Sequence, residues 1–188
     1  MHIGILIYDE VEVLDFAGPF EVFSTAARLA PDTGITVSLI AGQASPVRAR
    51  GGFSVLPHHT LHDHPALDVL LIPGGDHRDA LNNRTLLDWI GEQAPRVSQL
   101  ATVCTGIFLL AKALPDWSGP VTTHWEDIPD LRTQFPRLDV KSDTRWVDAG
   151  KVISSAGISA GLDMSLYLLR RLTTHALATR TARQMEYA

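Results

Sequence analysis

Residues 102–110 read TVCTGIFLL: an apolar, β-like run ends, an apolar, helix-like run begins, and the chain's single cysteine, Cys104, stands at the corner. Strands buried on both faces of a parallel sheet read as continuous apolar runs, because helices cover them on either side. The corner therefore predicts a strand leading straight into a helix. Working outward, the same alternation recurs. Residues 2–8 (HIGILIY), 35–41 (ITVSLIA), 68–73 (DVLLIP) and 98–103 (SQLATV) are short apolar strands. Between and after them lie helical patterns at 20–30, opened by Pro19, and at 82–95, 127–136, 159–172 and 176–188. Glycine pairs the remaining short runs into hairpins, 47–57 around Gly51-Gly52 and 145–157 around Gly150. Strands alternating with helices imply an α/β three-layer sandwich around a largely parallel central sheet, spanning residues 1–188 as one domain.

Composition limits what such a domain does. A length of 188 residues with 45% hydrophobic and 20% charged side chains supports a large core. A formal charge of −5, with 16 lysines and arginines scattered along the chain, gives no basic patch for nucleic acid. The first residues carry no basic n-region and meet acid at Asp9, unlike a signal peptide, and no apolar run approaches the length of a membrane span. One cysteine makes no internal disulfide, which fits a reducing compartment; the expected location is the cytoplasm.

In open α/β sheets ligands bind beyond the carboxyl ends of the strands. Cys104 occupies such an end, with Thr105 and Gly106 following and Thr102 two residues before it. A strand-to-helix corner exposes a side chain, and the positive end of the new helix favours a thiolate there. Gly106 matches half of the nucleophile-elbow pattern. A buried core thiol, a nucleophile and a redox sensor all remain open on the cysteine alone. Two other corners bear on it. Gly74 and Gly75, in IPGGD, are positioned to turn backbone N–H groups towards a ligand as an oxyanion hole, or simply to make a tight turn. Asp15, expected in a loop after the first strand and before Gly18-Pro19, is either a partnered carboxylate or a helix cap, with Glu21 a weaker candidate. His58, His59, His62 and His64 lack the accompanying ligands of a zinc motif, so no metal is expected there. His124, Trp125 and Gly18 are candidate pocket residues, Phe108 and Ile158 fit a pocket lining or, more simply, the core, and His124 with Asp127 would complete a hydrolase-like triad on Cys104.

These corners, VEVLDFAGPFEVF, DVLLIPGGD, ATVCTGIFLLAKAL, TTHW and SSAGISAGLDMSLYLL, occur in an order that resembles the ThiJ/PfpI superfamily across essentially the whole chain. The resemblance implies a flavodoxin-like, class-I glutamine-amidotransferase-like fold and a homodimer. Within the superfamily the chain is most similar to the isonitrile hydratase group, where cysteine is followed by Thr-Gly and an aspartate before Gly-Pro serves the thiol. That implies Cys104 as nucleophile, Asp15 as proton carrier, Thr105 and the Gly74–Gly75 turn around the reacting carbon, an isocyanide as small-molecule substrate and no cofactor. Protease and deglycase-like branches carry histidine directly after the cysteine, where this chain has Thr105. The N-terminal domains of AraC-type regulators also look like this chain; those proteins continue into a helix-turn-helix region, for which the residues up to Ala188 leave no room.

Overall fold

The computed structural model describes residues 1–187. In chain order the elements are β1 (His2–Leu6), α1 (Val13–Leu29), β2 (Thr36–Ala41), β3 (Val47–Arg48), β4 (Ser54–Val55), β5 (His59–Thr60), β6 (Val69–Ile72), α2 (Arg84–Gln93), β7 (Gln99–Val103) and α3 (Gly106–Ala113). They continue with β8 (Pro120–Val121), α4 (Ile128–Gln134), β9 (Asp139–Val140), β10 (Trp146–Ala149), β11 (Val152–Ser155), α5 (Ala160–Leu172) and α6 (His175–Gln184). The expected last helix stops short of Ala188, which lies outside the described residues.

Seven strands make one sheet in the order β10-β11-β7-β6-β1-β2-β5, parallel throughout except for the antiparallel edge strand β10. Helices α1, α5 and α6 pack together on one face, and α2 with α3 on the other. This is the three-layer sandwich that the apolar strands imply, and Ile3, Ile5, Val69, Leu71, Ala101 and Val103 are fully buried between the layers. Both hairpins form as the glycines require: Gly51, Gly52 and Gly150 all adopt positive φ. In the small parallel pair β8–β9, β8 falls where residues 120–125 (PVTTHW) read as a short strand and loop, whereas β9, at two residues, is too short to show a period.

From β1 the chain moves to β2 on one side, then returns through β5 to β6 on the other. The strand order thus reverses between β1 and β6, and there the loops beyond the carboxyl ends part and leave a crevice. The corners after β1, β6 and β7 all face it.

Helix α1 departs from expectation. It begins at Val13, not beside Phe20, and holds Pro19 in its interior. Proline forfeits an N–H and crowds the carbonyl four residues back, so it normally marks a first turn. Here tertiary contacts override that signal: the Glu12 N–H donates to Gly74 O (2.9 Å) and fixes the helix entry two turns earlier. Asp15 therefore lies in the first turn of a helix.

Two glycines set how closely helices approach the sheet. A Cβ on Gly106 would collide with the Ile72 carbonyl and lie 3.0 Å from the Pro73 carbonyl carbon. One on Gly161 would lie 2.8 Å from Val103 Cγ1. Gly106 meets backbone, which has nowhere to move. Gly106→Ala is expected to cost about 1–3 kcal/mol, in the range of overpacked cores, measurable as a lower urea midpoint at unchanged slope.

Candidate active site

Cys104 sits between β7 and α3 with φ of +55°. That left-handed conformation is uncommon outside glycine and marks a strained, over-determined corner. What holds it is a set of hydrogen bonds from β11 and the loop after β8. The Cys104 N–H donates to Ser155 O and Ala156 O (3.2 and 3.4 Å), and the Thr123 hydroxyl donates to Cys104 O (2.9 Å). The sulfur-bearing residue is 8% exposed.

The β6 corner is pressed against this elbow. A Cβ on Gly74 would stand 2.5 Å from Thr105 N and 2.9 Å from Cys104 Cβ. Gly75, at φ of +138°, bridges to Val11, and a Cβ there would strike the Glu10–Glu12 backbone. Only glycine lets the three loops come this close. Thr105 fastens them: its Oγ1 accepts the Gly75 N–H and donates to Gly75 O, both at 3.0 Å.

Asp15 reaches the elbow from the third corner. The Gly74 N–H donates to its Oδ2 (3.0 Å). The carboxylate also interacts with the Cys104 thiol and the Ile158 N–H, although among the described residues Oδ1 has no partner at full hydrogen-bond geometry. Asp15 is completely buried. Burial, reinforced by the negative charge of Glu12, pushes its carboxyl up to about 7 against the pull of the Gly74 N–H. Burial likewise pushes the Cys104 thiol well above its ordinary range, and the adjacent Asp15 charge adds to that. The Thr105 N–H opposes both effects more weakly. The resting pair is thus a neutral thiol beside a carboxyl that titrates near neutrality.

Several expectations are corrected by this geometry. Asp15 is neither a loop residue nor a helix cap: Glu12 holds the N-cap position, and the Asp15 side chain points out of its own helix to Gly74. The helix end does not make Cys104 a resting thiolate, because α3 contributes one nearby N–H against burial and a buried carboxylate. Gly74 and Gly75 do not offer a free pair of oxyanion donors, since Asp15 takes one N–H and Thr105 the other. Gly18 lies buried against Leu162 inside the α1–α5 packing, away from the lining of the cleft beside Cys104. Glu21 stays on the outer face of α1 with Thr25 and Arg28. Phe108 takes the simpler of its two readings, a core residue between His77 and Phe135.

His124 and Trp125 border an open cleft of about 700 Å³ beside the elbow. Thr123, Ala156 and Ile158 line it too, and each contacts Cys104 or Asp15. His124 Nδ1 lies 3.4 Å from Asp127 Oδ2, and its ring covers Gly157. The upstream histidines are dispersed: His58 accepts the Leu39 N–H, and His64 sits between Pro65 O and the Trp89 indole. Among the described residues no group of three or more potential ligands gathers for a metal ion.

Three participants have roles that the sequence does not signal, although Ile158 is among its candidate pocket residues. Tyr8, buried at the end of β1, donates to Pro73 O (3.0 Å) and braces the Gly74 corner. Thr123 buttresses the elbow from a distant loop. Ile158 adopts φ of +51°, costly for a β-branched residue, and thereby presents its N–H to Asp15.

A family model for the DJ-1/PfpI family matches residues 1–171. The chain belongs to the DJ-1/PfpI family. Among curated proteins, this DJ-1/PfpI chain is 33% identical to isonitrile hydratase of Pseudomonas putida over 189 residues, covering all of this chain and 79% of that protein. It is 26% identical over 169 residues to GbdR, an HTH-type transcriptional regulator of Pseudomonas aeruginosa, covering 90% of this chain and 46% of the regulator. Among solved structures, a THiJ/PfpI family protein from Pseudomonas syringae matches with a TM-score of 0.87 at 26% identity, over 99% of this chain and 74% of that one. Drosophila melanogaster DJ-1beta shares the fold at a TM-score of 0.83 and 19% identity, covering 100% and 98%.

Two outcomes follow from the geometry. A folded-state carboxyl raised from 3.8 to about 7 makes its contribution at low pH and loses it as pH rises through 7. Asp15→Asn, which keeps an acceptor for Gly74, should therefore gain on the wild type between pH 4 and pH 8, by up to about 4 kcal/mol in denaturant unfolding. Thr105→Val removes both bonds to Gly75 and strands a partly buried N–H; a loss of about 1–3 kcal/mol is expected in the same assay.

Proposed function

We propose that this chain is a cysteine-dependent hydratase that converts an isocyanide to an N-substituted formamide. The observation that carries this reading is the buried Asp15 carboxyl beside the Cys104 thiol, one group titrating near neutrality and the other held neutral. The identity to isonitrile hydratase over the whole chain supports it.

An isocyanide needs a proton and a nucleophile delivered to the same terminal carbon. Ionised Asp15 takes the thiol proton as the substrate enters, and the sulfur forms a bond to that carbon. The proton passes from Asp15 to the carbon, giving a neutral thioimidate, R–N=CH–S–Cys104. Water then adds to the imidate carbon; Asp15 accepts its proton, and the nitrogen takes up a proton in turn. Collapse of the tetrahedral adduct breaks the C–S bond, the hydroxyl proton returns to sulfur, and R–NH–CHO leaves. Oxidation states balance without a cofactor. A carboxyl near pH 7 suits this role because it alternates between acid and base at little cost. With Gly74 and Gly75 committed to internal partners, the Thr105 N–H, which already acts on the sulfur, serves as the donor for developing charge. By the same family resemblance, the working form is read as a cytoplasmic homodimer.

Formamide production from a simple isocyanide, followed by infrared loss of the N≡C band, tests the assignment. Cys104→Ala and Cys104→Ser should abolish turnover, and Asp15→Asn should lower kcat/KM by about 10²–10⁴. For the wild type, kcat/KM should rise through about pH 7 as Asp15 ionises. Full turnover by Cys104→Ala would refute the reading. The similarity to a regulator supports one other: a ligand-binding domain. Tight binding of a small molecule that is recovered unchanged, with no isocyanide consumed, would favour it.

A further inference from the structure

The cleft beside the elbow has two unlike qualities. Its apolar side is built by Trp125, 74% exposed, with Ile128, Pro129 and Ile158. An indole left so open on a folded surface is a large area awaiting a partner. Two charged residues, Asp143 and Arg145, stand on its lining, and two further carboxylates lie beside its His124. Asp143 lines the cleft, and Asp127 and Glu126 flank His124 at 3.4 and 3.8 Å. The one guanidinium on the lining, Arg145, is already held through Nε by Asp163. Deeper in, Asp15 and Glu12 add negative charge behind the sulfur. With Arg145 so paired, the charged groups left at the cleft among the described residues are the carboxylates Asp143, Asp127 and Glu126.

We infer that the cleft selects isocyanides whose substituent is flat and apolar and ends in a cationic group, and that it turns away those ending in an anion. The isocyano carbon points inward past Thr123 and Ile158, the body of the substituent lies on Trp125, and its outer end meets the Asp127–Asp143 side. An aromatic face with carboxylates around it stabilises a quaternary ammonium by cation–π attraction and by direct charge. A carboxylate at the same place meets like charges in a partly enclosed cleft, where repulsion is focused. This inference rests on the hydratase reading for its substrate class, and on the cleft alone for its selectivity.

Three probes with one core separate the possibilities: benzyl isocyanide, its para-carboxylate and its para-trimethylammonium derivative. Binding is measured by calorimetry on Cys104→Ala, which holds the ligand without reacting, and turnover on the wild type. The ammonium probe should bind at least tenfold more tightly than the carboxylate, with the neutral probe between them, and 1 M salt should narrow the spread. Asp127→Asn with Asp143→Asn should narrow it as well, and Trp125→Ala should weaken the ammonium probe about tenfold. Each of these side chains is partly or largely exposed, so the variants are expected to fold. Equal or tighter binding of the carboxylate, or no effect of Trp125→Ala, overturns the inference. If the predicted order of binding appears while the wild type consumes none of the three, the selectivity stands and the hydratase assignment fails. If all three are hydrated with equal kcat/KM and equal affinity, the assignment stands and the selectivity fails.

Discussion

One hydrogen bond joins the parts of this site: the Gly74 N–H donating to Asp15 Oδ2. Its two ends come from corners 59 residues apart in sequence, beyond β6 and at the start of α1. They meet because β1 and β6 are adjacent and the sheet changes winding direction between them. The bond turns a carboxylate out of its own helix and into a space closed off from the surface. Everything distinctive about the site follows from that displacement, including the raised carboxyl, the neutral thiol and the packing that only glycine allows at 74 and 75.

The electrostatics differ from a nucleophile activated at rest. A thiolate made by a helix end and a neighbouring cation is permanently charged and permanently reactive. Here burial and a carboxylate oppose ionisation, and under the proposed mechanism charge separation waits for a substrate that can take the proton. The backbone carries part of the cost. Cys104 and Ile158 both hold left-handed conformations, and each is fixed by partners elsewhere in the fold. Such strain persists only where surrounding structure over-determines it.

The legible part of the fold was the part with a local pattern. Four buried strands were readable as short continuous apolar runs, the helices after them by a 3.6-residue repeat, and both hairpins by their glycines. The corners bearing Asp15, Gly74 and Cys104 were readable as well, since each interrupts such a repeat with a residue that packing alone does not demand. What hid was whatever depends on a distant partner. Pro19 pointed to a helix start, yet the Gly74 carbonyl moved that start to Val13. The Gly74 and Gly75 amides looked available until Asp15 and Thr105 were seen to occupy them. Tyr8, Thr123 and Ile158 serve the site through one backbone contact each, and no spacing rule announces a contact of that kind.

The chain owns a single sulfhydryl, and the fold keeps it both covered and protonated. Unfolding uncovers it and returns it to an ordinary thiol, which is far more reactive towards alkylating reagents at neutral pH. Labelling is then slow on the native molecule and fast on the opened one, the reverse of what a nucleophilic cysteine leads one to assume. Every labelled molecule also reports on one address, the junction of β7 and α3. The residue proposed to carry the chemistry thus doubles as a built-in clock for how often that junction comes apart.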